Sequence, residues 1–368
     1  MKRGLVVLDP AEMPAAEWQD RVTGLQGELS AERIDVALIY GDVFASDDIA
    51  YLTNLCIYWN EGLLAVPATG DPVFLTKLSP RVHPWMKRIS TVSRIESGKD
   101  FGLLAARLLG DLPTGTVGLV DAALWPASVV DEVRTALPGW ELRELGGLVR
   151  DRRAVASEHE QALLRTGGEI VGRAADQAVG DGLDGFGRVS VVERVVRGAG
   201  FLDAQITRSS TSDGVESVQV TGQFRTGWLH AARFAGSAAW TLALDDALAA
   251  AVSAAKAGAS VESLAEAAGP ALAALPEGAN AQVGWVNQAD LSSRGEYRSR
   301  TGGLAAGQVG AVTVDVLFAD GGYAAVADTV LITSGHAQSL TGTRDTSDTT
   351  NTTDTTGTTD SVTGRAFT

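Results

Sequence analysis

Short apolar runs rich in β-branched residues recur through the first part of the chain: VALIY at 36–40, LLAVPA at 63–68, PVFLTK at 72–77 and VGLVD at 117–121. Bounded by Gly, Pro or Asp, runs of this length predict strands. Between them, AEWQDRVTGLQGELSAER and KDFGLLAARLLGDL carry apolar residues at helical spacing. The alternation predicts an α/β domain over residues 1–149 with at least partly parallel strands. No glycine fingerprint or P-loop follows any of these strands, so no phosphate cradle is expected.

The pattern changes over Val149–Val179, a charged hinge entering one long helix, where Ser157 and Glu160 have the spacing of a capping box. Residues 150–340 read as a second domain of α+β type. Ser217–Gly236 alternates like a strand pair turning near Gly222 or Gly227. The segment from Leu244 holds two helices, the first closed by Gly258 and the second capped by Ser260. Gly310–Thr333 reads as two strands about the turn Ala319–Gly322. Residues 341–368 collapse into Thr, Asp and Ser, with too little apolar surface to offset chain entropy, and are expected to be a disordered tail.

Composition narrows the function classes. The chain has 368 residues, 45% hydrophobic and 20% charged, an ordinary globular balance with enough material for two domains. A net charge of -15 argues against a surface that tracks phosphates, so no nucleic-acid partner is expected. The one cysteine, Cys56, excludes intrachain disulfides and zinc sites built from several thiolates. The apolar stretch in MKRGLVVLDP is too short for a signal peptide and no run approaches a membrane span, so the expectation is a soluble, cytoplasmic protein without membrane contact.

Several segments, taken in order, resemble the creatinase, prolidase and aminopeptidase P family. They are DDIAYLTNL (Asp47–Leu55) with the following GLLAVPATGDPVFL, RRAVASEHEQALLR at the hinge, ALAAAVSAAKAGASVESL (Ala247–Leu264), LAAGQVGAVTVDV, and GGYAAVADTVLITSGHAQSLT. The resemblance spans nearly all of residues 1–341 and implies a creatinase/prolidase-type N-terminal domain followed by a pita-bread domain, the fold shared with methionine aminopeptidase. It also implies a homodimer, in which the region of Tyr58, Trp59 and Glu61 reaches into the partner subunit's pocket. Most family members are hydrolases with two divalent metals held by two Asp, one His and two Glu, because hard cations need several charged oxygens and a bridging hydroxide attacks the carbonyl.

This chain departs from that ligand set. By resemblance the first Asp falls near Gln219 or Val220 and the second near His230 or Ala231; the segment that should carry the histidine, Gly284–Gly303, has none. The first Glu could be replaced by Asp315 if the register slips, and the second is Ala327. No metal and no cofactor is therefore expected. The replacing residues give the candidate site: His230 and Asp315 as catalytic groups, with Gln219, Trp228, Arg233, Glu296, Tyr297, Arg298, Arg300 and Tyr323 around a small-molecule substrate. The arginines predict a positive cavity suited to a small anion, since the guanidinium fork matches a carboxylate, and His230 is the group near neutral pKa. His230 beside Trp228 fits a hydrogen-bonded core histidine equally, Arg298 and Arg300 a solvated edge, and Asp328 a hairpin tie.

Three functions remain open from the sequence. One is a metal-independent enzyme acting on a C–N bond of a small anionic substrate in specialised metabolism. Another is a non-catalytic pita-bread binding or scaffold protein. The third is a metal-dependent Xaa-Pro peptidase whose ligands lie elsewhere. An enzyme should keep a closed polar pocket around His230 and Arg298, whereas a scaffold can fill it with apolar side chains.

Overall fold

In the computed structural model, residues 8–110, 112–291 and 302–342 are described. The first domain runs α1 (Ala15–Ala31), β1 (Val36–Gly41), α2 (Asp47–Thr53), β2 (Gly62–Pro67), β3 (Val73–Thr76), α3 (His83–Ile89), β4 (Arg94–Ser97), α4 (Phe101–Leu109), β5 (Thr116–Val120), α5 (Ala127–Ala136) and β6 (Glu141–Leu145). Its six-stranded sheet has the order β4-β3-β2-β1-β5-β6. The β1–β5, β3–β4 and β5–β6 pairs are parallel and the two hairpin pairs antiparallel, so the α/β reading with partly parallel strands holds. Apolar side chains pack both faces, Ile39, Leu64 and Phe74 on one and Leu38, Leu63 and Leu75 on the other, as a helix-covered sheet requires.

The second domain follows through α6 (Leu148–Arg153) and α7 (Glu158–Ala178). Ser157 starts α7 with a reciprocal capping box, each of its two hydrogen bonds with Glu160 being 3.1 Å. Then come α8 (Gly185–Gly198), β7 (Asp203–Ser210), β8 (Glu216–Phe224), β9 (Gly227–Ala235), α9 (Ala239–Ala254), α10 (Val261–Leu272), β10 (Asn280–Asn287), β11 (Val309–Leu317), β12 (Tyr323–Ile332) and β13 (Ala337–Ser339). The β8–β9 hairpin turns at Arg225–Thr226 rather than at a glycine, with Arg225 taking the positive φ of 55°. Gly222 lies within β8. The helix before Gly258 ends already at Ala254, while Ser260 caps α10 by accepting from Ser263 N–H.

The second sheet has the order β10-β11-β12-β9-β8-β7, with β13 on β12, and it faces two ways. Along β11, Val312, Val314 and Val316 pack under α9 and α10, whereas Ala311, Thr313 and Asp315 point to the opposite face. Val218, Val220, Leu229 and Ala231 likewise meet α7 and α8. All four helices thus cover one face and leave the other to form a concave wall, the pita-bread arrangement. Two three-stranded halves meet where Ala327 pairs with Ala232.

Residues 340–341 press onto α7 at positions without a Cβ: one placed on Gly172 would stand 2.4 Å from the carbonyl oxygen of Thr341. Thr341, expected to begin the tail, is fully buried and donates to Asp328, so ordered packing extends into that segment. Residues 343–368, the rest of the expected tail, lie outside the described residues. Among the described residues no helix is long and apolar enough to cross a membrane.

The two domains are joined by buried polar contacts. Asp47, at the start of α2, accepts from Gln223 Nε2 at 2.9 Å and Trp228 Nε1 at 3.1 Å. Arg153, buried on α6, bonds Asp48 at 2.8 Å, and its carbonyl accepts from Gln288 Nε2 at 3.1 Å.

Candidate functional site

The concave face of the second sheet encloses a cavity of about 340 Å³. Strand pairing explains its lining. Gln219 and Thr221 on β8 lie opposite Ala232 and His230 on β9; Gln282 and Gly284 on β10 lie opposite Asp315 and Thr313 on β11; Thr313 in turn faces Ala327 on β12. Each pair has its side chains on one face, so residues 60 to 100 positions apart converge. Thr329 seals the floor, its Oγ1 donating to His230 O and accepting from His230 N–H at 2.8 Å.

His230 is 3% exposed, and its Nδ1 is hydrogen-bonded to Thr221 Oγ1 at 2.8 Å. Burial pushes its pKa down to about 4, and the nearby Arg233 guanidinium adds to the effect. His230 is therefore a neutral imidazole at pH 7, not the near-neutral titrating group the sequence led us to expect. The carboxylate of Asp315 accepts from Thr313 Oγ1 at 3.0 Å and from the Tyr323 hydroxyl, a connected trio on the cavity wall.

These observations divide the candidates. Gln219, His230, Asp315 and Tyr323 line the cavity. Arg233 does not: three residues from His230 along a strand, it emerges on the helix side, where it bonds Asp176 at 3.1 Å and the carbonyl of Ala327 at 2.8 Å. Trp228 is fully buried beside Val286 and Leu291, with its indole N–H committed to Asp47, so it belongs to the domain junction. Asp328 ties the hairpin end through Ser339 and Thr341. Trp59 packs edge-on against Trp85, and Glu61 accepts from Tyr40 and pairs with Lys77, all in the first domain and away from this cavity. Glu296, Tyr297, Arg298 and Arg300 lie outside the described residues. Sequence reasoning missed Gln282 and Thr313, which only the strand register brings to the wall; Asp315, offered as a replacement for the first Glu, pairs with Ala325, and the residue across from Ala327 is Thr313.

The arrangement matches known proteins at two levels. Residues 21–155 match the Creatinase/Prolidase N-terminal domain. Over this stretch the chain is similar to that domain family. The two-domain fold extends the match: the prolidase from Pyrococcus horikoshii OT3 superposes with a TM-score of 0.71 at 17% identity, covering 88% of this chain and 99% of that one. The X-Pro aminopeptidase from Thermotoga maritima MSB8 gives 0.71 at 15% identity, over 88% and 97% of the two chains. The Xaa-Pro dipeptidase from Bacillus anthracis gives 0.70 at 14%, over 89% and 98%. At such identities the likeness establishes the creatinase/prolidase fold. No curated protein matches the chain by sequence.

The metal pair that this fold family implies was tested against the side chains of the cavity. The wall offers amides at Gln219 and Gln282, a neutral imidazole at His230, a hydroxyl at Thr313 and one carboxylate at Asp315, and Ala327, across from Thr313, has only a methyl. Among the described residues no three His, Cys, Asp or Glu side chains gather into a metal-holding group. Hard divalent cations need several charged oxygens, and this donor set does not fit a dinuclear centre.

Proposed function

We propose that the protein is a metal-independent member of the creatinase/prolidase fold that acts on a C–N bond of a small amide in the cavity around His230 and Asp315. One observation carries the reading. The cavity wall presents neutral hydrogen-bonding groups at Gln219, His230, Gln282 and Thr313 with one carboxylate at Asp315, and the space is open at about 340 Å³. A cavity of this size with a few convergent polar groups suits a small molecule.

The charge of the substrate follows from the wall. Among the described lining residues there is no Arg or Lys, and Arg233 is committed elsewhere. With Asp315 present and His230 neutral, the described lining favours a neutral or cationic amide; Arg298 and Arg300, on which the expected anion also rested, lie outside the described residues. Gln219 and Gln282 supply amide groups that read a carbonyl or N–H. Asp315, held by Thr313 and Tyr323, acts as general base: it takes a proton from water as the water oxygen bonds the amide carbon. It returns that proton to nitrogen as the C–N bond breaks and the amine leaves.

Metal analysis by plasma mass spectrometry, on protein purified without chelator and again after incubation with Mn, Co or Zn, tests the first half of this reading. Screening small amides in the presence of EDTA tests the second. Metal well below one equivalent, with EDTA-resistant turnover lost in Asp315→Asn, is the expected result. Stoichiometric metal with chelator-sensitive Xaa-Pro cleavage would overturn it. A second reading, a non-catalytic binding protein, is favoured by the locked, neutral His230; its signature is saturable binding of an amide with no turnover.

A further inference from the structure

A second cavity, of about 140 Å³, lies where the first domain meets the second. It opens at the carboxyl ends of β1 and β5, against Ile39, Tyr40, Val120 and Asp121. There the sheet reverses its order of growth: β1 has antiparallel β2 on one side and parallel β5 on the other, and the chain completes the β2-β3-β4 side before crossing to β5. In open α/β sheets ligands bind in the crevice beyond the strand carboxyl ends at such a switch point. The second domain closes the crevice with Ala289, Asp290 and Leu291.

We propose that this crevice binds a small organic cation, separately from the cavity around His230. Four carboxylates line it, Asp47, Asp48, Asp121 and Asp290, against two guanidinium groups, Arg150 and Arg153, so acidic side chains are in excess. Asp48 is paired with Arg153 at 2.8 Å, while Asp121 Oδ1 accepts the backbone N–H of Gly147 at 2.7 Å. The two carboxylates repel one another; burial first, then this repulsion, raises the pKa of Asp48 against the pull of Arg153. A cation between them relieves that repulsion. Tyr40 and Trp125, with ring centroids 5.8 Å apart, add the aromatic wall on which a cation gains further. The Trp125 indole is held by its N–H bond to Val120 O at 2.8 Å, so the wall is set before a ligand arrives. A cavity of about 150 Å³ takes one benzene-sized ring, which sets the size of the guest.

Titration calorimetry of the full chain with benzamidine, and with benzoate as its oppositely charged counterpart, tests the assignment. Asp121→Asn removes the charge yet keeps both the acceptor for Gly147 N–H and tolerance of the left-handed φ of 51° at this position. Ala45→Trp closes the mouth from an exposed lining position, and Thr313→Phe fills the other cavity. We expect one benzamidine per chain, about tenfold weaker binding in Asp121→Asn, loss in Ala45→Trp, no change in Thr313→Phe and no benzoate binding. The assignment is overturned if benzamidine does not bind at millimolar concentration, if binding is indifferent to Asp121→Asn and Ala45→Trp, if Thr313→Phe abolishes it, or if benzoate binds as well. Because Thr313→Phe reports on the His230 cavity alone, failure here is distinguishable from failure of the amide reading.

Discussion

Acid should loosen this fold through His230. In the native state the imidazole holds a proton only below about pH 4, whereas its ordinary value is 6.5. Between those limits the unfolded chain binds the proton and the native chain does not, so stability is complete above the ordinary value and falls as pH drops toward 4. Each tenfold difference in proton affinity is worth about 1.4 kcal/mol, which makes the full loss roughly 3 kcal/mol. His230→Gln keeps a hydrogen-bonding group beside Thr221 but cannot titrate. Urea unfolding of wild type and variant, from about pH 7.5 to about pH 4, isolates the effect, since the carboxylates common to both cancel in the difference. Wild-type stability should fall relative to the variant by about 3 kcal/mol over that range. A difference constant to within about 0.5 kcal/mol, or a His230 ring resonance that titrates near 6.5 in the folded protein, would refute the reasoning.

Three further outcomes are expected. Arg153→Met leaves half-buried Asp48 and buried Asp47 without the cation they share and should cost up to about 3 kcal/mol, read as a fall in Tm; an unchanged Tm would mean that the ion pair adds nothing. Gly172→Ala sets a Cβ 2.4 Å from the Thr341 carbonyl oxygen and should cost about 1–3 kcal/mol, whereas Gly27→Ala, on α1 with nothing within 4 Å, should stabilise by up to about 1 kcal/mol; equal effects in denaturant unfolding would contradict the close approach. Thr313→Phe should abolish amide binding with a stability change below about 2 kcal/mol, and retained binding in equilibrium dialysis would move the ligand out of this cavity.

The strands legible in the sequence and those that were not differ in one physical respect. The apolar runs at 36–40, 63–68, 72–77 and 117–121 became β1, β2, β3 and β5, all interior to the first sheet. The strands that escaped notice, β4 (RIES), β6 (ELREL), β7 (DAQITRSS) and β10 (NAQVGWVN), are the edge strands of the two sheets. Edges carry charged or polar side chains, charged in RIES, ELREL and DAQITRSS and amide-bearing in NAQVGWVN, because an exposed apolar edge invites pairing with another chain, so hydrophobic periodicity is weakest there. The cavity was reached through the family resemblance, which pointed to Gln219, His230, Asp315 and Tyr323, all of them on its wall. Arg233 was misplaced because an offset of three along a strand inverts the face. Trp228 shares the face of His230, but the first domain covers that end of the sheet through Asp47, a contact between residues 181 positions apart that no local pattern carries.

The bonds from Asp47 to Gln223 and Trp228 bear on how the molecule comes apart. Gln223 and Trp228 are wholly buried, and each satisfies a side-chain N–H on a carboxylate belonging to the other domain. If the first domain melted alone, both donors and the Trp228 ring would meet water on a surface shaped to be covered; if the second melted alone, Asp47 would lose the same partners. Neither half has a low-energy surface of its own at the junction. Heating should therefore give a single calorimetric peak with agreeing calorimetric and van't Hoff enthalpies, and a first domain cut free before α7 should expose Asp47 and lose stability out of proportion to the residues removed.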